Sequence, residues 1–168
     1  MIIERVFAMP SPNTFSIKPI RCFIDRYSAN AKNIIDPFAR DNTLATHTND
    51  LNPHTAAQFH MDAEDFCKQI NASFDLALFD PPYSPRQISE CYQSIGREVT
   101  TKDTQNAALY KRVRDAIDPL IKSGGHVLSF GWNSMGMGKG RNYEIVEILL
   151  VAHGGAHNDT ICVAERKL

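Results

Sequence analysis

An apolar run that stops at two prolines limits what this chain can fold into more than any other stretch. Phe74-Asp75-Leu76-Ala77-Leu78-Phe79 leads straight into Asp80-Pro81-Pro82-Tyr83. A short apolar run closed by Pro reads as a buried strand of a parallel sheet entering a loop. The prolines fix φ and remove two backbone donors, so the turn is stiff and its carbonyls are left to accept from a ligand. A carboxylate, a rigid carbonyl and an aromatic face are thus expected at the carboxyl end of a strand. Open α/β sheets bind ligands at that edge.

This set of groups suits an exocyclic amine. The lone pair of adenine N6 is delocalised into the ring, which makes the amine a poor nucleophile. The Asp80 carboxylate and the Pro81 carbonyl can accept its two hydrogens and favour tetrahedral nitrogen, while Tyr83 stacks on the base. Catalysis of that kind is positioning and charge stabilisation, without prior deprotonation. Asp80-Pro81-Pro82-Tyr83 resembles motif IV of the S-adenosylmethionine-dependent amino-methyltransferases, and its DPPY form resembles the adenine-N6 DNA group most. A proline-rich turn with no chemistry is the plainer reading of the same residues.

Other stretches fall in that family's order. Thr14-Phe15-Ser16-Ile17-Lys18-Pro19 precedes a helix starting near Pro19, a residue suited to a first turn. Ile20, Phe23, Ile24 and Tyr27 share one face of it. This segment resembles motif X, which implies that Phe15 and Lys18 lie against the methionine end of the cofactor. Asn33-Ile34-Ile35-Asp36-Pro37-Phe38 is a strand that resembles motif I, implying cofactor contacts from Asp36, Pro37 and Phe38. The family continues with a glycine-rich turn, whereas Ala39-Arg40-Asp41-Asn42 holds no glycine; Asn42 is the residue best suited to a left-handed conformation.

The next strand, Leu44–Asn49, begins too soon for a full crossover helix, and the connection from Pro53 to Gln58 is also short. The helices after the first two strands should therefore be trimmed. Asp50, followed by Leu51, ends the second strand, where a carboxylate can take both ribose hydroxyls. Asp62, followed by Ala63, ends a third short strand, where it can accept from the cofactor's adenine amine. Asp62 also suits the N-cap of a helix over Ala63–Ile70. With Asp36, Asp50, Asp62 and Asp80, four successive predicted strands end in a carboxylate.

Beyond Tyr83 a helix is expected over Ser84–Ser94, with Arg86 near the mouth of the site, and then a mobile polar loop over Gly96–Asn106. Asp103 or Thr104 would cap a helix reaching about Lys122, its core stripe Leu109, Val113, Ile117, Leu120 and Ile121, broken by Gly124-Gly125. Lys111, Arg112 and Arg114 read as a solvated face. After a fifth strand at His126–Phe130, Gly131 to Arg141 carries four more glycines with Trp132, Lys139 and Arg141. It reads either as a substrate loop, with Trp132 stacking on a base and the cations on phosphates, or as a connection that buries Trp132. A strand pair, Glu144–Ala152 and Thr160–Glu165, ends the chain. His153 and His157 flank its turn without a third ligand, so no metal is expected.

A chain of 168 residues, 43 % hydrophobic and 22 % charged, suits one domain over residues 1–168. The net charge of −1 carries no electrostatic footprint of a dedicated duplex binder. Cys22, Cys67, Cys91 and Cys162 form no paired motif and read as reduced, mostly buried thiols of a cytoplasmic protein. The start, without a long apolar core after a basic end, is not expected to act as a secretory signal, and no run approaches membrane-spanning length.

The resemblance implies a Rossmann-like class I methyltransferase fold: a mostly parallel seven-stranded sheet in the order 3-2-1-4-5-7-6 with an antiparallel C-terminal hairpin. It implies S-adenosyl-L-methionine as cofactor and nucleic acid as partner, with DNA ahead of RNA. The chain looks similar to minimal methyltransferases of phages and mobile elements that lack a target-recognition domain. Sequence specificity would then be short, or supplied by a homodimer or a partner subunit. Two alternatives stay open: transfer to RNA or another amine such as cytosine N4 or guanine N2, and a non-catalytic interaction subunit with the same fold.

Overall fold

A computed structural model describes residues 1–100 and 105–168. The apolar run forms strand β4 (Phe74–Phe79), an interior strand of a seven-stranded sheet. Ala77 and Phe79 pack on one face, Leu76 and Leu78 on the other. A strand covered on both faces needs no polar alternation, which is why the run is so apolar.

Strands β2 (Ile34–Asp36) and β5 (Ile121–Gly131) flank β4, both parallel to it. Strand β3 (His47–Thr48) lies outside β2, also parallel. On the other side, β7 (Thr160–Lys167) runs antiparallel between β5 and β6 (Tyr143–Ala152), and β1 (Ile2–Phe7) closes the edge parallel to β6. The order is β1-β6-β7-β5-β4-β2-β3.

With Ile34–Asp36 counted as the first strand, the predicted run 2-1-4-5-7-6 and its antiparallel final hairpin are both present. The third strand is reduced to a single bridge between Asn49 and Phe59. Seven strands result because β1 joins the opposite edge. Its partner is nearly the whole chain away. Turns alone link β2 to β3 and β3 to Phe59, so both crossovers are trimmed as expected.

Helix α1 (Lys18–Ser28) carries Pro19 in its first turn, buries Ile20, Phe23 and Ile24, and covers one face of the sheet. Helices α2 (Ala63–Gln69), α3 (Pro85–Ser94) and α4 (Asn106–Ile117) cover the other. Helix α4 stops short of the expected Lys122. Pro119 lacks the N–H that would continue it, and a single 3-10 turn over Asp118–Leu120 follows. Strand β5 therefore starts at Ile121 rather than His126. The glycine pair lies in its bulge, where Phe74 faces Ile121 but Leu76 already faces His126. Gly124 has φ 79, and a Cβ on Gly125 would come within 2.9 Å of the Ile121 side chain. The caps proposed at Asp103 or Thr104 lie outside the described residues.

Candidate active site

The carboxyl ends of β2, β3 and β4 open into one cleft of about 530 Å³. That volume suits a nucleoside-sized ligand. Its walls come from the turns after those strands, the N-terminal lead at Ser11, Pro12 and Thr14, and one side of α3.

Asp36 ends β2 beneath the cleft at 1 % exposure. Its Oδ1 accepts from Phe38 N at 3.0 Å, whereas Oδ2 has no partner among the described residues. Burial pushes this carboxyl well above the usual range, and the nearby Asp80 and Asp50 add to the shift. In the glycine-free turn the left-handed residue is Arg40 (φ 52), not Asn42. The backbone takes a path open to glycine, and Asp50 fixes it: Arg40 N donates to Asp50 Oδ2 at 3.0 Å and Asn52 N to Oδ1 at 2.8 Å.

Asn49 is fully buried between the strand ends. Its Nδ2 donates to the carbonyls of Pro37 (3.1 Å) and Met61 (3.0 Å), and its Oδ1 accepts from Met61 N (3.1 Å). Asp62 occupies the N-cap position of α2 without a side-chain capping bond. Its carboxylate instead accepts from Tyr92 Oη and Arg97 Nη1, each at 2.7 Å, which ties α3 and the segment after it to the cleft wall.

The Asp80-Pro81-Pro82-Tyr83 turn is closed on itself. The Tyr83 hydroxyl donates to Asp80 Oδ1 and lies 3.3 Å from Thr14 Oγ1. Tyr110 Oη donates to Pro82 O at 2.6 Å, and Gln87 Oε1 accepts from Tyr83 N at 2.6 Å. Burial pushes the Asp80 carboxyl up to about 6, against the lowering effects of Tyr83, Thr14 and the Arg40 guanidinium. Burial and the adjacent Asp80 also raise the Tyr83 phenol. Trp132, 43 % exposed, meets the Tyr83 ring edge-on with centroids 5.6 Å apart.

Of the residues singled out in the sequence, Pro37, Phe38, Asp50, Leu51, Asp62, Ala63, Asp80, Pro81, Pro82 and Tyr83 line this cleft. Phe15 does not: it is buried against Phe130, and Thr14 beside it faces the cleft instead. Lys18 is exposed at the start of α1, outside the lining. Arg86 is exposed on α3, outside the lining, and pairs at 2.7 Å with Glu90, which lines the cleft.

The glycine-rich loop after β5 is pinned rather than free. Met137 N and Gly138 N donate to the Glu165 carboxylate, and a Cβ on Gly136 would collide with it. Arg114 donates to Met135 O, and Arg141 donates to Met137 O and pairs with Asp115 at 2.6 Å. Arg141 therefore ties down the loop, and the buried Arg114 is no part of a solvated face. Lys139 is exposed on the same loop. His153 is buried with its ring nitrogens at Ala8 O and Thr160 Oγ1, while His157 is exposed.

Sequence reasoning missed Asn49, Tyr92, Thr14 and the inward side of Arg40. Cys91, exposed rather than buried, also lines the cleft. The one available signal was Asn49 standing directly before a strand-ending acid.

No family model matches the chain, and no curated protein matches it. Solved structures do. TrmN from Thermus thermophilus superposes with a TM-score of 0.60 at 15% identity, over 90% of this chain and 49% of that one, so this chain spans about half of TrmN. YhhF from Escherichia coli gives 0.58 at 11% identity, over 95% of this chain and 91% of that one. The N-methyltransferase NodS from Bradyrhizobium japonicum WM9, solved with S-adenosyl-L-homocysteine, gives 0.56 at 13% identity, over 94% and 89%. At these identities the likeness is one of fold. The chain has the Rossmann-like fold of the class I methyltransferases.

Proposed function

We propose that this methyltransferase fold serves transfer of the sulfonium methyl of S-adenosyl-L-methionine to the N6 amine of adenine in DNA. One observation carries the reading: the Asp80-Pro81-Pro82-Tyr83 turn shares a single cleft with Asp50 and Asp62. The donor and acceptor set fits the cofactor. Asp50 is oriented by two backbone amides and keeps lone pairs for a ribose diol; Asp62 is oriented by Tyr92 and Arg97 beside the place for an adenine. Asp36 Oδ2, without a partner among the described residues, is a further polar group left for a ligand or its water.

When bound, S-adenosyl-L-methionine supplies an electrophilic methyl carbon on sulfur. The chain's own residues place the amine. Asp80 and the Pro81 carbonyl accept its hydrogens, and the amine takes over the Asp80 oxygen now held by the Tyr83 hydroxyl. The Tyr83 ring and the exposed Trp132 then offer aromatic faces to an extruded base. The target proton becomes acidic only once the methyl is attached, so no strong base is required. The glycine-free turn is the argument for a non-catalytic subunit; the left-handed Arg40 supports the enzyme reading, because it keeps the backbone on a glycine's path.

Calorimetric titration with S-adenosyl-L-methionine tests the site, with Asp50→Ala expected to weaken binding by about tenfold or more. Labelled methyl transfer to unmethylated DNA, RNA and nucleosides then tests the substrate. Label on adenine N6 of DNA is the expected result. Label on RNA, cytosine or guanine would replace that substrate, and saturable binding with no transfer would replace the enzyme.

A further inference from the structure

Arg40 stands in the turn where the methyltransferase resemblance places glycine, and its side chain enters the lining of the cleft. We infer that Arg40 is a specificity residue for the cofactor, its guanidinium holding the α-carboxylate of the amino-acid tail. The inference rests on the reading of this cleft as an S-adenosyl-L-methionine site.

The backbone of Arg40 is fastened to Asp50, so the side chain starts from a fixed point. It crosses to the N-terminal lead, where Nη1 donates to Pro12 O at 2.7 Å. Its Nε and Nη2 find no acceptor among the described residues. Nor, among the described residues, does it form an ion pair with Asp50, Asp62, Asp80 or Glu90, the four carboxylates that line the cleft, although it stands near enough to Asp80 to lower that carboxyl. A guanidinium oriented by one carbonyl, with its remaining fork unused, is prepared for an anion that arrives with a ligand. Guanidinium and carboxylate match in plane and spacing.

Position selects which anion. Asp50 and Asp62 are given to the nucleoside and Asp80 to the reacting amine; Arg40, on the wall it forms with Pro12 and Thr14, is the one Lys or Arg among the described lining residues and is left for the anionic tail. The strained left-handed backbone at a non-glycine residue is then offset by a function of the side chain. A phosphate of the target strand is the other anion that would fit this fork.

The test titrates the full chain calorimetrically with S-adenosyl-L-homocysteine, with 5′-methylthioadenosine, which has the nucleoside but no amino-acid tail, and with an unmethylated DNA duplex. Arg40→Gly removes the guanidinium while permitting the same φ, so its melting temperature should not fall. The expected result is about a tenfold or greater loss of S-adenosyl-L-homocysteine affinity in Arg40→Gly, with 5′-methylthioadenosine within about twofold of wild type and Arg40→Lys in between. Equal losses for both ligands would mean that Arg40 only shapes the turn. A loss of DNA affinity alone would assign the fork to phosphate. Either result overturns the inference, as does unchanged binding of both ligands, which leaves the site reading standing. If wild type binds neither ligand, the site reading falls and the inference with it.

Discussion

The two halves of the sheet hold their strands together by different means. From β4 to β7 the strands are long, and backbone pairs with backbone over extended registers. From Asn33 to Met61 the strands are three and two residues long, and side chains complete the ladder. Thr46 Oγ1 both accepts from Ile34 N and donates to Ile34 O, each at 2.9 Å, in place of a neighbouring strand. Gln58 Oε1 accepts from Thr48 N while Gln58 N donates to Thr48 Oγ1, both at 3.0 Å. Asn49 does the same for Pro37 and Met61. Buried backbone groups need partners whether or not a helix remains to direct the crossover. The helices can be trimmed because Thr, Asn and Gln side chains supply those partners.

Asn49→Ala probes this contrast with the largest expected effect. It leaves two carbonyls and an amide short of a partner, and a loss of about 2–4 kcal/mol is expected from urea unfolding at unchanged m value. A loss under about 1 kcal/mol would show that water replaces the side chain, and the contrast between the halves would collapse.

The second prediction concerns β4, the strand that joins the halves and ends in Asp80. Asp80 accepts its share of the amine's hydrogens as the ionised carboxylate, so kcat/KM for methyl transfer should rise with pH and level off above about 6. At one unit below that midpoint the rate should stand near a tenth of its plateau, about 1.4 kcal/mol in barrier. A flat profile across the midpoint would remove Asp80 as the acceptor. Because folding raises this carboxyl, the native state binds the proton more tightly. Asp80 therefore costs stability as pH climbs from the ordinary carboxylate range to about 6.

The smallest effect belongs to the backbone-paired half. Ser129 is buried in β5 with no partner for its hydroxyl among the described residues. Ser129→Ala should leave stability within about 0.5 kcal/mol of wild type or slightly raise it. A loss above about 1 kcal/mol would show that side chains matter to this half as well.

Legibility in the sequence followed how local each determinant was. The apolar face of α1, the β6–β7 hairpin and the acids ending β2 and β4 could all be read, because each depends on neighbours a few residues apart. Strand β1 could not, since its pairing partner lies in β6 and nothing in Ile2–Phe7 names it. Arg40 was overlooked for a different reason: arginine gives no local cue for positive φ, and the bond to Asp50 that fixes its turn spans ten residues. Arg141 suggests a phosphate contact on one of the two readings of its loop because its ion partner, Asp115, belongs to α4, far from it in sequence. Phe15 and Thr14 show the finest grain missed. The segment that resembles motif X stands out in the sequence, but which of two adjacent side chains faces the cleft depends on Phe130 claiming the phenylalanine.

Strand β1 has one more consequence. No described strand pairs with its outer side, and Ile2, Ile3 and Phe7 are exposed around a central Glu4-Arg5. A copy that joined this edge in antiparallel fashion would be related by a two-fold axis normal to the sheet, which keeps each side chain on its own face. The best-overlapped registers of that kind set Glu4 against its own counterpart or Arg5 against its own. Like charges placed directly opposite one another oppose pairing. The strand that widens the sheet thus carries, at its midpoint, a charge pattern that discourages the sheet from continuing into a second copy of itself.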